Sequence, residues 1–158
     1  MSRMASLSLL LLLAGCGFHL QGALTVPPQM ERTYIAATNR HIGFYRDLRA
    51  ALEAAGVNVV DQSADATATL RIAYDQTDQR VLSVSARNVP TEYEVYYTVE
   101  YSLESGERNL LDTQTLTLTR DYTYDSTLVL GKGQEEELLR EAIVDDLVRI
   151  VLKQISAL

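Results

Sequence analysis

The strictest constraint on the fold of this chain is an uninterrupted two-residue alternation over residues 91–104. Successive side chains of a β-strand point to opposite faces of a sheet, so this alternation predicts a strand with one apolar and one polar face. The apolar positions are Tyr93, Val95, Tyr97, Val99, Tyr101 and Leu103, and the polar positions are Glu92, Glu94, Tyr96, Thr98, Glu100 and Ser102. The apolar face requires a second layer of structure to cover it.

Further strands are predicted on both sides of this segment. After a turn at Ser105-Gly106, residues 111–124 return with an apolar set opposed to a threonine set. Before it, residues 70–74 and 82–86 alternate in the same way and are separated by a predicted polar turn at residues 75–79. Residues 32–37 predict a short first strand, and residues 57–60 predict a short strand or the lead-in to one.

Two segments have the three- and four-residue apolar spacing of amphipathic helices. In the first, Asn39 is the predicted N-cap and Gly56 the C-cap glycine. The second covers residues 134–155, with acidic residues in its first turn, as the helix dipole favours. The predicted buried stripes are Tyr45, Leu48, Leu52 and Ala55 in the first helix, and Leu139, Ile143, Leu147 and Ile150 in the second.

The order of these elements predicts an α+β two-layer sandwich, with two helices packed on one face of a mostly antiparallel four-stranded sheet. The second face of the sheet is then left uncovered by this chain. Its predicted members are Thr113, Thr115, Thr117, Thr119, Glu92, Glu94, Tyr96, Thr98 and Glu100. Such a face is either solvated, as is usual for antiparallel sheets, or laid against a hydrated protein wall.

The N-terminus predicts a lipoprotein signal. Arg3 precedes an apolar run that ends at Ala14-Gly15-Cys16, and Cys16 is the single cysteine. Small residues before a cysteine suit signal cleavage, and the thiol can accept a diacylglycerol. The apolar run is shorter than the roughly 20 residues that a membrane-spanning helix needs. We therefore expect a signal peptide at 1–15, a lipidated tether at 16–30 and a single domain at 31–158.

Composition argues against several classes of function. Removing Arg3 with the signal peptide changes the net charge from −7 to −8, which disfavours nonspecific binding to nucleic acid. His19 and His41 have no second histidine or cysteine at metal-ligand spacing, and no phosphate loop or nucleophile elbow is present. The adjacent pair Asp145-Asp146 points in two directions on a helix. We expect no enzymatic activity, no metal and no cofactor beyond the diacylglycerol and N-acyl chain on Cys16.

Three segments resemble the LPS-assembly lipoprotein family, LptE. They are residues 14–20 (AGCGFHL), Arg87-Asn88 followed by Thr91-Glu92-Tyr93, and Leu130-Gly131-Lys132. The resemblance covers nearly all of the chain after Cys16 in element order. It implies two helices on a mostly antiparallel four-stranded sheet, in agreement with the periodicity.

The resemblance also implies a location and partners. Family members lie on the periplasmic side of the Gram-negative outer membrane, plug and help assemble the LptD β-barrel, and bind lipopolysaccharide; Gly17 fits outer-membrane sorting. The family's basic residues for lipopolysaccharide fall at Arg87 and Lys132, and such side chains suit the phosphates of lipid A. Ordinary solvated loop cations are the alternative for each. The alternative function is a stand-alone periplasmic ligand-binding lipoprotein without a barrel partner.

Overall fold

Five strands and two helices make up the computed structural model, which describes residues 25–124 and 129–158, without the side chains of 129–132. The strands are β1 (Arg32–Ala37), β2 (Asn58–Val60), β3 (Ala68–Val84), β4 (Pro90–Ser105) and β5 (Arg108–Thr123). The helices are α1 (Gly43–Ala54) and α2 (Val129–Ile155), and single helical turns cover Pro28–Met30 and Ser63–Asp65.

The strands form one mixed sheet in the order β2-β1-β3-β4-β5. β1 pairs in parallel with both β2 and β3, whereas β3, β4 and β5 are antiparallel. The predicted α+β class with two helices was confirmed, but the sheet has five strands rather than four and is mixed rather than mostly antiparallel. The physical reason is the helical crossover: α1 carries the chain back across the sheet, so β2 begins at the same end as β1 and can only pair in parallel.

β3 is one strand of 17 residues, so the turn predicted at residues 75–79 was wrong. Beyond Ala37, where β1 ends, β3 continues with β4 as its only pairing partner in the described structure. Most side chains in this part of β3 are exposed, so polar residues occur without a turn. A bulge between Ile72 and Tyr74 shifts the side-chain alternation along the strand.

The predicted faces of β4 and β5 were confirmed. Val95, Tyr97, Val99, Tyr101 and Leu103 are buried. The threonines of the opposite parity in β5 are exposed, and they are Thr113, Thr115, Thr117 and Thr119. The turn at Gly106 also forms, with glycine at φ 59°, a conformation that L side chains rarely adopt.

The end of α1 is as predicted, but its start is not. Val57 N–H donates to Leu52 O and Gly56 N–H donates to Glu53 O, each at 3.0 Å, and Gly56 has φ 89°. This is the Schellman arrangement that a C-terminal glycine favours. The N-cap position belongs to Ile42, whereas Asn39 accepts a hydrogen bond from His41 N–H in the preceding loop. Asn39 therefore stabilises a turn rather than the helix.

α2 begins at Val129, five residues before the predicted start, so the acidic cluster lies inside the helix rather than in its first turn. Ile143 and Leu147 of the predicted stripe are fully buried, whereas Leu139 and Ile150 are only partly buried. The actual stripe is wider. It adds Val144, Val148, Val151 and Ile155.

The core lies between one face of the sheet and both helices, as predicted. Thr33, Ile35, Leu70 and the buried residues of β4 share that face through the strand registers. Tyr101 of β4 donates a hydrogen bond to Gln154 of α2, which ties that helix to the centre of the sheet. Met30, the last residue of the predicted tether, is also fully buried, so packing begins before residue 31.

Candidate functional site

Arg87 lies at the apex of the β3–β4 hairpin. Asn88 N–H donates to Ser85 O at 2.9 Å, Ser85 N–H donates to Val89 O at 2.8 Å, and Asn88 has φ 60°. This is a three-residue hairpin loop, a tight turn followed by a left-handed residue, and asparagine tolerates that conformation well. The loop therefore presents Arg87 at the end of the sheet.

The Arg87 side chain is exposed, and within the described residues it has no ion pair or side-chain hydrogen bond. The carboxylates of the adjoining strands are already occupied. Glu92 accepts from Ser83 Oγ at 2.8 Å, and Glu94 pairs with Arg80. Arg87 is thus a cation free to meet an external anion, in a chain whose net charge is −7.

Lys132 lies in the first turn of α2 rather than in the predicted loop. Tyr124 N–H donates to Thr91 O at 2.8 Å, so the chain leaves β5 beside the start of β4. α2 begins five residues later, at the end of the sheet where the hairpin carries Arg87. The structure therefore places the backbones of the two predicted cations at the same end of the sheet.

An open groove of about 590 Å³ lies beneath the hairpin loop. Arg87 and Ser85 line it from the loop, and Pro90, Thr123 and Tyr124 line it from the strand ends. Its size is within the range of small-molecule sites. The sequence prediction included Arg87 but missed this groove, because it forms only where the hairpin and the end of β5 meet.

The sheet face opposite the helices is uncovered in the described structure, and this agrees with the prediction. Thr98 Oγ1 and Thr117 Oγ1 lie 2.9 Å apart across β4 and β5, and the Arg80 guanidinium lies over the Tyr96 ring, 5.7 Å from its centroid. Arg71 Nη2 and Glu104 Oε1 pair at 2.9 Å. Such a face presents short hydroxyls and fixed charges, which suit contact through water or with a polar wall.

Asp75 and Tyr97 form a partly buried pair on the helix side of the sheet, which the sequence prediction missed by assigning Asp75 to a turn. Tyr97 Oη donates to Asp75 Oδ1 at 2.5 Å, while Asp75 Oδ2 is buried without a hydrogen-bond partner in the described structure. Burial raises the pKa of the Asp75 carboxyl, although the Tyr97 hydrogen bond opposes this. Burial and the neighbouring carboxylate also raise the pKa of Tyr97, which stays neutral.

Asp75→Asn is expected to stabilise the protein more at about pH 7 than at about pH 4. The unfolded chain loses the Asp75 proton near 3.8, and the folded protein loses it only at higher pH, so wild-type stability falls as pH rises through that interval. Asparagine does not titrate, so the variant lacks this loss. Urea unfolding of both proteins across this range measures the difference.

The control is Asp61→Asn. Asp61 is exposed, and the hydrogen bond from Arg49 lowers the pKa of its carboxyl. Any pH dependence of that substitution should be small and of opposite sign. A difference between wild type and Asp75→Asn that does not change with pH would contradict the assignment.

The described part of the chain contains neither a cluster of metal ligands nor a membrane-spanning helix. No group of three or more histidine, cysteine, aspartate or glutamate side chains there is placed to hold a metal ion. Neither α1 nor the described part of α2 combines the length and apolar character needed to cross a membrane. Cys16, the predicted lipid attachment site, lies outside the described residues.

Solved structures with this fold come from several bacteria. An uncharacterized lipoprotein B from Nitrosomonas europaea is 29% identical, with a TM-score of 0.74 over 89% of this chain and 91% of that one. A rare lipoprotein B from Shewanella oneidensis, 23% identical, matches with a TM-score of 0.69 over 80% of this chain and 94% of that one. The second likeness shows the fold alone.

Sequence comparison identifies the family to which the chain belongs. The LPS-assembly lipoprotein LptE of Yersinia enterocolitica is 24% identical over 147 residues, which are 92% of this chain and 70% of that protein. The model of the family described as LptE, lipopolysaccharide-assembly, matches residues 30–155 and so spans both helices and all five strands. On this match, the chain belongs to the LptE family.

Proposed function

We propose that this protein is an outer-membrane lipoprotein that plugs and helps assemble the LptD β-barrel and binds lipopolysaccharide for delivery to the cell surface. The family match over residues 30–155 is the observation that carries the proposal. It favours this function over that of a stand-alone ligand-binding lipoprotein. Catalysis has no part in the proposal.

The open face of the sheet supports the barrel partner. Both helices cover one face, so the threonines and carboxylates of β4 and β5 are available to a hydrated inner wall. The two faces of the sheet also differ in chemistry: one is the apolar core, and the other is polar along β4 and β5. A polar interface of this kind does not need a large apolar patch.

The two cations at one end of the sheet support lipopolysaccharide binding. Arginine can grip a phosphate through two parallel N–H donors, and lysine supplies a point charge. Arg87 has no competing carboxylate partner in the described structure. In the proposed function, Arg87 and Lys132 bind the phosphates of lipid A.

Cys16 supplies the anchor in this proposal. A diacylglycerol and an N-acyl chain on one cysteine contribute about 0.8 kcal/mol for each buried CH₂, so a doubly or triply acylated terminus stays in the membrane. The anchor holds the domain on the periplasmic side of the outer membrane, where the barrel can enclose it.

Purification of the tagged full-length protein from detergent-solubilised membranes of its own host tests the proposal. We expect a large barrel protein to copurify in stoichiometric amount. Thr117→Lys should reduce the yield of the copurified barrel protein severalfold, because it places a long cation between the open face of the sheet and the barrel wall. Ala50→Lys on the exposed side of α1 is the matched control and should leave the yield unchanged. Recovery of the wild-type protein as a clean monomer would refute the barrel partnership.

A further inference from the structure

Exposed apolar side chains are concentrated at the β3–β4 hairpin end. The exposed fractions are 46% for Val81, 44% for Leu82, 53% for Val84 and 44% for Val89. In the rest of the described chain, large apolar side chains this exposed are isolated and far apart in the sequence: Tyr74, Leu138 and Leu158. Isolated apolar residues are normal on a surface, but a group of them in one place indicates a contact.

Part of this group continues the apolar core face of the sheet past the helices. Val81 is paired with Tyr93, which packs against the core, and Val84 is paired with Pro90 beyond two register shifts in the ladder. The Tyr93 ring stacks on Tyr122 at 5.7 Å and meets Tyr124 edge-on at 5.4 Å between centroids. We call the surface formed by Val81, Val84, Pro90, Tyr93 and Tyr124 the apolar ledge. Val81 and Tyr93 extend the core face of the sheet, and Tyr124, which contacts Tyr93, joins them to the groove that Pro90 lines.

The apolar ledge joins the groove that contains Arg87. Pro90 and Tyr124 belong to both, and Val89 lines the groove beside them. The Arg87 cation therefore lines the same groove as the apolar side chains of Val89, Pro90 and Tyr124. This arrangement matches a ligand with an anionic head and an aliphatic chain.

We propose that the groove and the apolar ledge hold an acyl chain of the same phosphorylated glycolipid molecule whose phosphate meets Arg87. This inference rests on the proposed function and adds to it the lipid portion that is recognised. The occupant is one lipid molecule rather than a bilayer surface, because Glu92, Glu94 and Asp121 lie on the other side of the same hairpin and strand end. Those carboxylates would oppose an approach to an anionic membrane.

The test compares two ligands on the immobilised full-length protein in detergent: fully acylated lipid A, and its phosphorylated disaccharide stripped of acyl chains. Val84→Thr/Val89→Thr keeps the β-branched shape while adding hydroxyls, so the strand is retained. We expect this variant to bind acylated lipid A about tenfold more weakly and to bind the stripped ligand as wild type does. Leu158→Asn, at another exposed apolar position, is the control and should bind both ligands normally.

The results of these binding experiments distinguish failure of this inference from failure of the proposed function. Equal affinity of wild type and Val84→Thr/Val89→Thr for acylated lipid A would overturn the inference alone. Arg87→Glu tests the phosphate contact, and unchanged binding of both ligands by that variant would remove the proposed lipopolysaccharide site.

Two other occupants have their own outcomes. If Val84→Thr/Val89→Thr weakens binding of phosphatidylglycerol in the same detergent as much as it weakens binding of lipid A, the apolar ledge recognises membrane phospholipid in general, and the inference is overturned. A wild-type dimer that the valine substitutions abolish would also overturn it, since the surface would then belong to a second copy of this chain.

Discussion

Arg87→Glu/Lys132→Glu is expected to weaken binding of lipopolysaccharide by about a hundredfold. Each cation can make a charge-assisted hydrogen bond to phosphate, and losing one such bond costs about tenfold or more. Glutamate at both positions adds repulsion. Because Arg87 has no intramolecular partner in the described structure, its replacement should leave the fold intact. Binding is measured on the purified full-length protein, and circular dichroism checks the helix content.

The matched control makes the same change of charge elsewhere. Arg108→Glu/Lys153→Glu replaces two exposed cations, one in the β4–β5 turn region and one in the last turn of α2. These positions lie toward the other end of the sheet from Arg87. Equal weakening by both double variants would mean that net charge governs binding, not a site. Unchanged binding by the first double variant would contradict the roles of Arg87 and Lys132.

Side-chain periodicity was sufficient where one face of a strand is buried along its length. In β4 the buried set from Val95 to Leu103 is the predicted one, because each apolar residue faces the helices. In β5 the predicted threonine set is likewise on one face, and it is exposed. The open polar face could therefore be predicted from the sequence, and so could its position opposite the helices.

Periodicity failed where the strand leaves the core. Asp75, Gln76 and Asp78 suggested a turn, yet they lie in β3, held by backbone pairing with β4. The alternation of polar and apolar residues in a strand arises because one face is buried. This part of β3 is mostly exposed on both faces, so it lacks that alternation. The Asp75–Tyr97 pair was missed for the same reason.

The parallel pairing of β1 also depends on information that local sequence lacks. Val59 and Val60 indicate a short strand but do not specify which strand it pairs with. The path of α1 across the sheet determines that β2 pairs with β1 in parallel. The groove near Arg87 depends in the same way on long-range geometry, because Tyr124 reaches it only through the β4–β5 register.

Tyr101 and Tyr96 offer a direct test of the two faces, because they are tyrosines on the same strand. Tyr101 is fully buried and donates to Gln154, and burial raises the pKa of its phenol to about 12. Tyr96 lies on the open face beside Arg80. Tyr101→Ala is expected to cost about 4 kcal/mol of unfolding free energy, from lost burial and the cavity left behind. A domain of this size has roughly 5–15 kcal/mol in total.

Tyr96→Ala is expected to cost less than about 1 kcal/mol, since it removes a half-buried ring and its cation–π contact with the exposed Arg80, and leaves no internal cavity. Tyr101→Phe divides the larger loss: it removes only the hydroxyl that Gln154 accepts from, and should cost about 1 kcal/mol. Urea unfolding of the three variants gives the comparison. Similar losses at positions 96 and 101 would mean that both faces of β4 are covered in the isolated protein. If only the Tyr101 substitution lowers the unfolding free energy strongly, the polar face contributes little to folding. Its side chains are then available for contact with a partner protein.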